Sequence, residues 1–270
     1  MPSGGVQRLL TVAALLPVIC VVIGWGSPAG FAALTAGVAL LGILEMARLA
    51  ERCGGHVDRV LAAGLGLGAC AAFLDPPRDS AWILALIAFT CVATLVRSVV
   101  RPADGCGAFG AVAATLFAGI YPGVLLAFMV GLRMEPRGRA MIFFVVLVIW
   151  VSDTAAYYLG RAFGRHLLCP SISPKKTVEG AIAGVLAAAA AAEGCRLSFC
   201  PDLGPAAAAI GAGLAGVGIL GDLGESMLKR GAGVKDTAAL LPGHGGILDR
   251  IDSLLLAGPA FYYYYQSALR

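Results

Sequence analysis

Long apolar blocks separated by short polar stretches make up most of this 270-residue chain. A membrane-spanning helix needs roughly 20 predominantly apolar residues. Nine segments fit that description, at about 8–26, 29–48, 58–75, 81–99, 107–132, 139–160, 178–195, 205–228 and 247–267. The pattern predicts an all-α polytopic membrane protein with about nine transmembrane helices. Residues 1–140 carry only membrane helices, whereas 141–270 also carry the polar motifs. The apolar run from Leu9 to Trp25 exceeds a usual signal-peptide core, so it reads as an uncleaved first helix.

Charge concentrates in residues 222–252, DLGESMLKRGAGVKDTAALLPGHGGILDRID. Side chains three and four apart are neighbours on a helix. Asp222, Glu225, Ser226 and Lys229 therefore form a polar stripe ending an oily segment. A glycine-rich loop follows, with Gly231, Gly233 and then Leu241-Pro242-Gly243-His244-Gly245-Gly246. The next oily helix opens with Asp249, Asp252 and Ser253 on one face. Glycines let backbone N–H groups approach an anion. Lys229, Arg230, Lys235 and Arg250 supply positive charge, and the carboxylates supply hard oxygen ligands. Such a set suits phosphate chemistry at a membrane surface.

A second polar cluster spans 150–180, WVSDTAAYYLGRAFGRHLLCPSISPKKTVEG. Asp153 lies inside an apolar helix, where a carboxylate is costly and a functional candidate by default. The bland alternative is a carboxylate satisfied by Ser152 or Tyr157. Ser173-Pro174-Lys175-Lys176-Thr177 precedes the next helix. Its proline stiffens the approach, its hydroxyls suit a cap, and its lysines meet a helix N-terminus that attracts phosphate.

Composition agrees with a membrane setting. Apolar residues make up 59% and charged residues 13%, against about 25% charged in soluble domains. A net charge of +4 with no basic, aromatic-rich face gives no indication of nucleic-acid binding. Nine spans divide the basic residues unequally: 14 of 20 fall on the side holding the loops 161–177 and 229–246. By the positive-inside rule that side faces the cytoplasm. The run Phe261-Tyr262-Tyr263-Tyr264-Tyr265 then falls at the far interface as an aromatic anchor. Eight scattered cysteines contain no CxxC pair, which argues against zinc. Cys195 and Cys200 share one short loop, and their pairing stays open.

The spacing Ser226-x2-Lys229-Arg230-x4-Lys235-Asp236-x-Ala238-x2-Leu241-Pro242-x-His244-Gly245-Gly246-x2-Asp249-Arg250-x-Asp252 resembles, without a gap, the signature of phosphatidate cytidylyltransferases. Residues 150–180 are similar to a second family run, Asp-hydroxyl-x-Ala-Tyr-aromatic-x-Gly-x2-Phe-Gly, followed by Ser-Pro-Lys-Lys-Thr-x-Glu-Gly. Thr154 and Thr237 stand where the family often has serine, and both keep the hydroxyl. The motif resemblance covers 150–180 and 222–253.

That resemblance implies transfer of the cytidylyl group of CTP to phosphatidic acid, giving CDP-diacylglycerol and pyrophosphate. It implies magnesium held by Asp222 and Asp249, with Asp252 a further ligand, and leaves room for a second monovalent or divalent cation. Lys229, Arg230, Lys235, Asp236, His244 and Arg250 are the other expected catalytic residues, with His244 contacting or positioning phosphate. Asp153, Ser173, Lys175, Lys176, Thr177, Glu179, Ser226, Gly245 and Gly246 are the expected substrate-binding set. The implied location is the inner (plasma) membrane, with the site facing the cytoplasm; a homodimer is left open.

Competing classes are another CTP-dependent lipid phosphotransferase or kinase, and a transporter with cation-binding carboxylates. A transporter does not need the Pro-Gly-His-Gly-Gly loop. The Asp-Gly-x2-Ala-Arg pattern of CDP-alcohol phosphotransferases is missing from the sequence. Glu45 lies three residues before Arg48, which suggests a structural ion pair. His56 and His166 are read as solvated loop residues.

Overall fold

The computed structural model describes residues 20–74, 80–100, 107–237 and 245–269. The chain divides into two compact units. One combines Met1–Glu135 with Gly231–Arg250, and the other combines Pro136–Arg230 with Ile251–Arg270. The segment before the last helix thus belongs with the N-terminal helices rather than with its sequence neighbours.

In the first unit α1 spans Pro28–Arg52, α2 Arg59–Ala72, α3 Ser80–Val100, α4 Gly107–Gly119 and α5 Leu125–Arg133. Ser27 caps α1, its hydroxyl accepting from the Gly30 N–H, and Pro28 occupies the first turn. Proline fits there because that N–H has no intrahelical partner. A π-helical turn, Ile120–Val124, joins α4 to α5. It contains Pro122, which cannot donate the regular helical bond. At this turn Gly123 meets Gly66 of α2 so closely that a Cβ on Gly123 would lie 2.6 Å from the Gly66 Cα. Asp58 caps α2, accepts an ion pair from Arg97 of α3 at 2.6 Å, and donates its N–H to Thr115 of α4. Ile43, Leu65 and Leu132 fill the core, beside a Phe73–Phe128 ring contact at 5.2 Å.

In the second unit α6 spans Gly138–Phe163, β1 Leu167–Cys169, β2 Ser173–Thr177, α7 Val178–Ser198 and α8 Ala207–Gly231, with a 3-10 turn at Pro201–Ala206. The last helix, α9, is Leu248–Ala268; it starts in the first unit and continues in the second. Helices α6 and α7 pack at backbone distance. A Cβ on Gly180 would lie 2.7 Å from the Ala156 carbonyl and 3.0 Å from the Gly160 Cα. Small residues allow such approach where no hydrophobic effect drives helices together.

Among the described residues six helices are long and apolar enough to cross a membrane: Pro28–Arg52, Ala81–Val100, Gly107–Arg133, Gly138–Phe163, Val178–Ser198 and Pro201–Gly231. They coincide with six of the nine expected segments, and the protein is a predominantly α-helical, multi-pass membrane protein. The other three differ. Most of 8–26 lies outside the described residues. Arg59–Ala72 has 14 residues, a length of about 21 Å. Helix α9 has 21 residues, but a charged first turn and a tyrosine run dilute its apolar character.

The antiparallel β1–β2 hairpin, Leu167 opposite Thr177, was not expected. The aromatic run also departs from the expected anchor. Phe261, Tyr262 and Tyr265 are buried, and Phe261 packs 5.1 Å from Phe144; Tyr263 faces outward. A helix turns successive residues about 100° apart, so five consecutive rings cannot all face one interface.

Candidate functional site

In the second unit the end of α8 presents the expected stripe. Glu225 is fully buried and holds Lys229 at 2.7 Å, one turn along. The Ser226 hydroxyl lies 3.4 Å from Asp222 Oδ1. The other Asp222 oxygen receives Lys176 Nζ at 2.5 Å.

Local bonding places that lysine. Thr177 caps α7 by accepting from the Gly180 N–H. Glu179, in the first turn of α7, accepts the N–H groups of Arg165 and His166 and pairs with the His166 ring at 2.6 Å. His166 is therefore engaged rather than simply solvated. These bonds close the hairpin, and β2 carries Lys176 to Asp222. Arg230 adds a second tie, donating to the Ile172 carbonyl at 3.3 Å.

Two more carboxylates join this cluster. Asp153 of α6 lies within electrostatic reach of Asp222 and Lys176 and is hydrogen-bonded by the Ser253 side chain. Ser152 is buried against Gly184 and Tyr157 is exposed, so neither is the partner expected from the sequence. Asp252 interacts electrostatically with Asp222, Glu225 and Asp153. Gly221 brings α8 and α9 together there, since its Cβ would lie 2.5 Å from the Asp252 carbonyl. Four carboxylates thus gather around two lysines.

The signature's far end lies in the first unit. Asp249 Oδ2 accepts from the Gly246 N–H at 2.8 Å, the Thr237 hydroxyl at 3.1 Å and the Thr237 N–H at 3.3 Å. Gly245 has φ +76°, a left-handed conformation natural to glycine. Glu45 was expected to pair with Arg48. It is instead fully buried, accepting from Thr237, Ile247 and Leu248. Its place in α1 turns it into the core, where backbone N–H groups of the signature are its donors. Sequence reasoning missed this role. The signal was one carboxylate deep in a 25-residue apolar helix.

Lys175, Lys235, Asp236 and Arg250 are exposed, and Ser173 is half-buried on β2. His244 lies outside the described residues. Asp222 belongs to the second unit and Asp249 to the first. Among the described residues no three His, Cys, Asp or Glu side chains form a preassembled cation cage. Magnesium needs only one or two carboxylates, with water and phosphate oxygens completing its shell. Asp222, already holding a lysine ammonium against neighbouring carboxylates, fits that demand. Cys195 and Cys200 are separate buried thiols, and burial pushes the Cys200 thiol up to about 11, with Cys195 nearby adding to the shift.

A family model described as the cytidylyltransferase family matches residues 6–268. This chain belongs to the cytidylyltransferase family. A Pseudomonas aeruginosa relative named phosphatidate cytidylyltransferase is 36% identical over 263 residues, covering 94% of each chain. Relatives of the same name in Haemophilus influenzae and Bacillus subtilis are each 41% identical. The first match covers 48% of this chain and 46% of the relative; the second covers 54% and 55%. These two alignments span about half of each relative's length.

Proposed function

We propose that this family member transfers the cytidylyl group of CTP to phosphatidic acid, in phospholipid biosynthesis. The observation that carries the reading is the Lys176–Asp222 ion pair, which joins the two separate sequence motifs into one polar cluster. The relatives' shared name supports the same substrates.

A phosphatidate phosphate oxygen attacks the α-phosphorus of CTP. A new P–O bond forms, the bond to the β-phosphate oxygen breaks, and pyrophosphate leaves with its electron pair. The nucleophile is already an anion near neutral pH, so no strong base is required. The physical problem is bringing two anions together, and catalysis rests on positioning and charge neutralisation. Lys175 and Lys176 hold nucleotide phosphate beside the α7 N-terminus. Arg230, Lys235 and Arg250 provide further phosphate contacts, with Lys229 steadied by Glu225. By the motif resemblance Asp222, Asp249 and Asp252 are the residues that would bind magnesium, which would supply charge neutralisation at the phosphates. The excess of basic residues flanking both polar loops supports a site facing the cytoplasm of a plasma (inner) membrane.

The test is purified protein in detergent–lipid micelles, with labelled CTP and phosphatidate. Labelled CDP-diacylglycerol and pyrophosphate should form only when both substrates are present, with CTP or dCTP but not ATP. Product formed from diacylglycerol in place of phosphatidate would identify a lipid kinase and refute the transfer.

A further inference from the structure

Glu45 stands 202 positions before Ile247, yet its carboxylate is bonded to the start of the last helix. Oε1 accepts from the Ile247 N–H at 2.9 Å. Oε2 accepts from the Leu248 N–H at 3.0 Å and from the Thr237 hydroxyl at 2.9 Å. The first N–H groups of a helix lack intrahelical partners. A negative group also suits the helix dipole there. Glu45 thus serves as a cap delivered from a different helix.

The link continues to Asp249. One hydroxyl hydrogen on Thr237 lies within reach of both Glu45 Oε2 and Asp249 Oδ2. The Thr237 N–H and Gly246 N–H also converge on Asp249. Gly246 itself has no room for a Cβ, which would collide with the Thr237 hydroxyl and the Glu45 carboxylate. Every polar contact described for Glu45 therefore goes to a residue of the 237–249 segment. A completely buried carboxylate is costly unless such donors surround it.

We infer that Glu45 is a positioning residue: acting through Thr237 and the α9 start, it fixes the Asp249 carboxylate for the transfer reaction. The N-terminal helices, which carry no signature residue, then contribute directly to the geometry of the site. This inference rests on the transfer proposed above for its kinetic part and is independent of it for its structural part.

The experiment uses the full chain in micelles and reads two quantities for each variant: amide hydrogen exchange across 246–249, and turnover per folded molecule. The variants are Glu45→Gln, Thr237→Val, Thr237→Ser and both of the first two together. Glu51→Gln, an exposed partner of Arg59 on the same helix, is the control. Glutamine turns an amide NH2 toward donors. Faster exchange at 246–248 is expected in Glu45→Gln, with kcat lowered roughly tenfold to a hundredfold, as for small misplacements of a reacting group. Thr237→Val should also lower kcat, and Thr237→Ser should recover it. The double variant should lose little beyond the worse single one, because both act through one path.

Faster exchange with normal kcat would reduce Glu45 to a structural cap and overturn the inference. Unchanged exchange would overturn it as well. Should Glu45→Gln fail to insert, the comparison of Thr237→Val with Thr237→Ser decides the question with the carboxylate in place. Failure of the wild type to form product would instead refute the transfer, and the kinetic role would fall with it.

Discussion

Lys176 Nζ lies 2.5 Å from Asp222 Oδ2, and both side chains are about one-third exposed or less. The pair holds a cation on a carboxylate that repulsion from Asp153 and Asp252 would otherwise burden. Replacing the lysine should therefore be felt most when no divalent cation is present. In Lys176→Met the thermal midpoint in chelator should fall by about 2–4 °C, the scale of about 1 kcal/mol in a chain of this size. Magnesium should restore it more than in wild type, and the KM for CTP should rise. An unchanged midpoint in chelator would show that the pair carries no charge compensation.

Asp222→Asn and Asp249→Asn should each remain folded and membrane-inserted while turnover falls by roughly a hundredfold or more, as when an electrostatic contribution of several kcal/mol is lost. Activity titrated against magnesium in wild type and both variants is the measurement. Near-normal turnover in either variant, or wild-type activity undiminished by excess chelator, would remove the metal from the mechanism.

The two signature glycines should differ in kind from a third, in α8. Gly246→Ala forces a Cβ into Thr237 and Glu45, an overpacking cost of about 1–3 kcal/mol. Gly245→Ala places a side chain at φ +76°, costing about 1–2 kcal/mol. Gly224 has open space where its Cβ would be, so Gly224→Ala should be neutral or gain up to about 1 kcal/mol of helix stability. Denaturation midpoints of the three variants test the order.

Cys200 should resist alkylation. The thiolate is the nucleophile, and burial raises this thiol to about 11, so little thiolate exists at neutral pH. The rate should climb as pH rises through 9 toward 11, whereas exposed Cys53 should react readily near neutrality. Mass spectrometry after timed iodoacetamide treatment at several pH values separates the two sites. Equal rates at neutral pH would contradict the buried assignment.

Orientation is decided by labelling. Val234→Cys in a cysteine-free background should react with an impermeant maleimide only from the cytoplasmic face. Reaction only from the outer face would invert the topology drawn from the 14 of 20 basic residues.

The sequence by itself determined six of the membrane helices, because a hydrocarbon layer demands long apolar runs and those runs are contiguous. It also determined the Asp222–Lys229 stripe and the Thr177 cap, since both depend on neighbours within one helical turn. Motif spacing pointed to the chemistry. Only the tertiary structure decided that Lys176 meets Asp222, that Glu45 caps the last helix, and that Phe261 turns inward. Each of these joins residues far apart in the chain, and helical periodicity reports only which residues share a face, not what covers it. The short hairpin at 167–177 was equally hidden: SPKKT has little strand propensity, and its pairing is held by Glu179 bonds to the Arg165–His166 backbone.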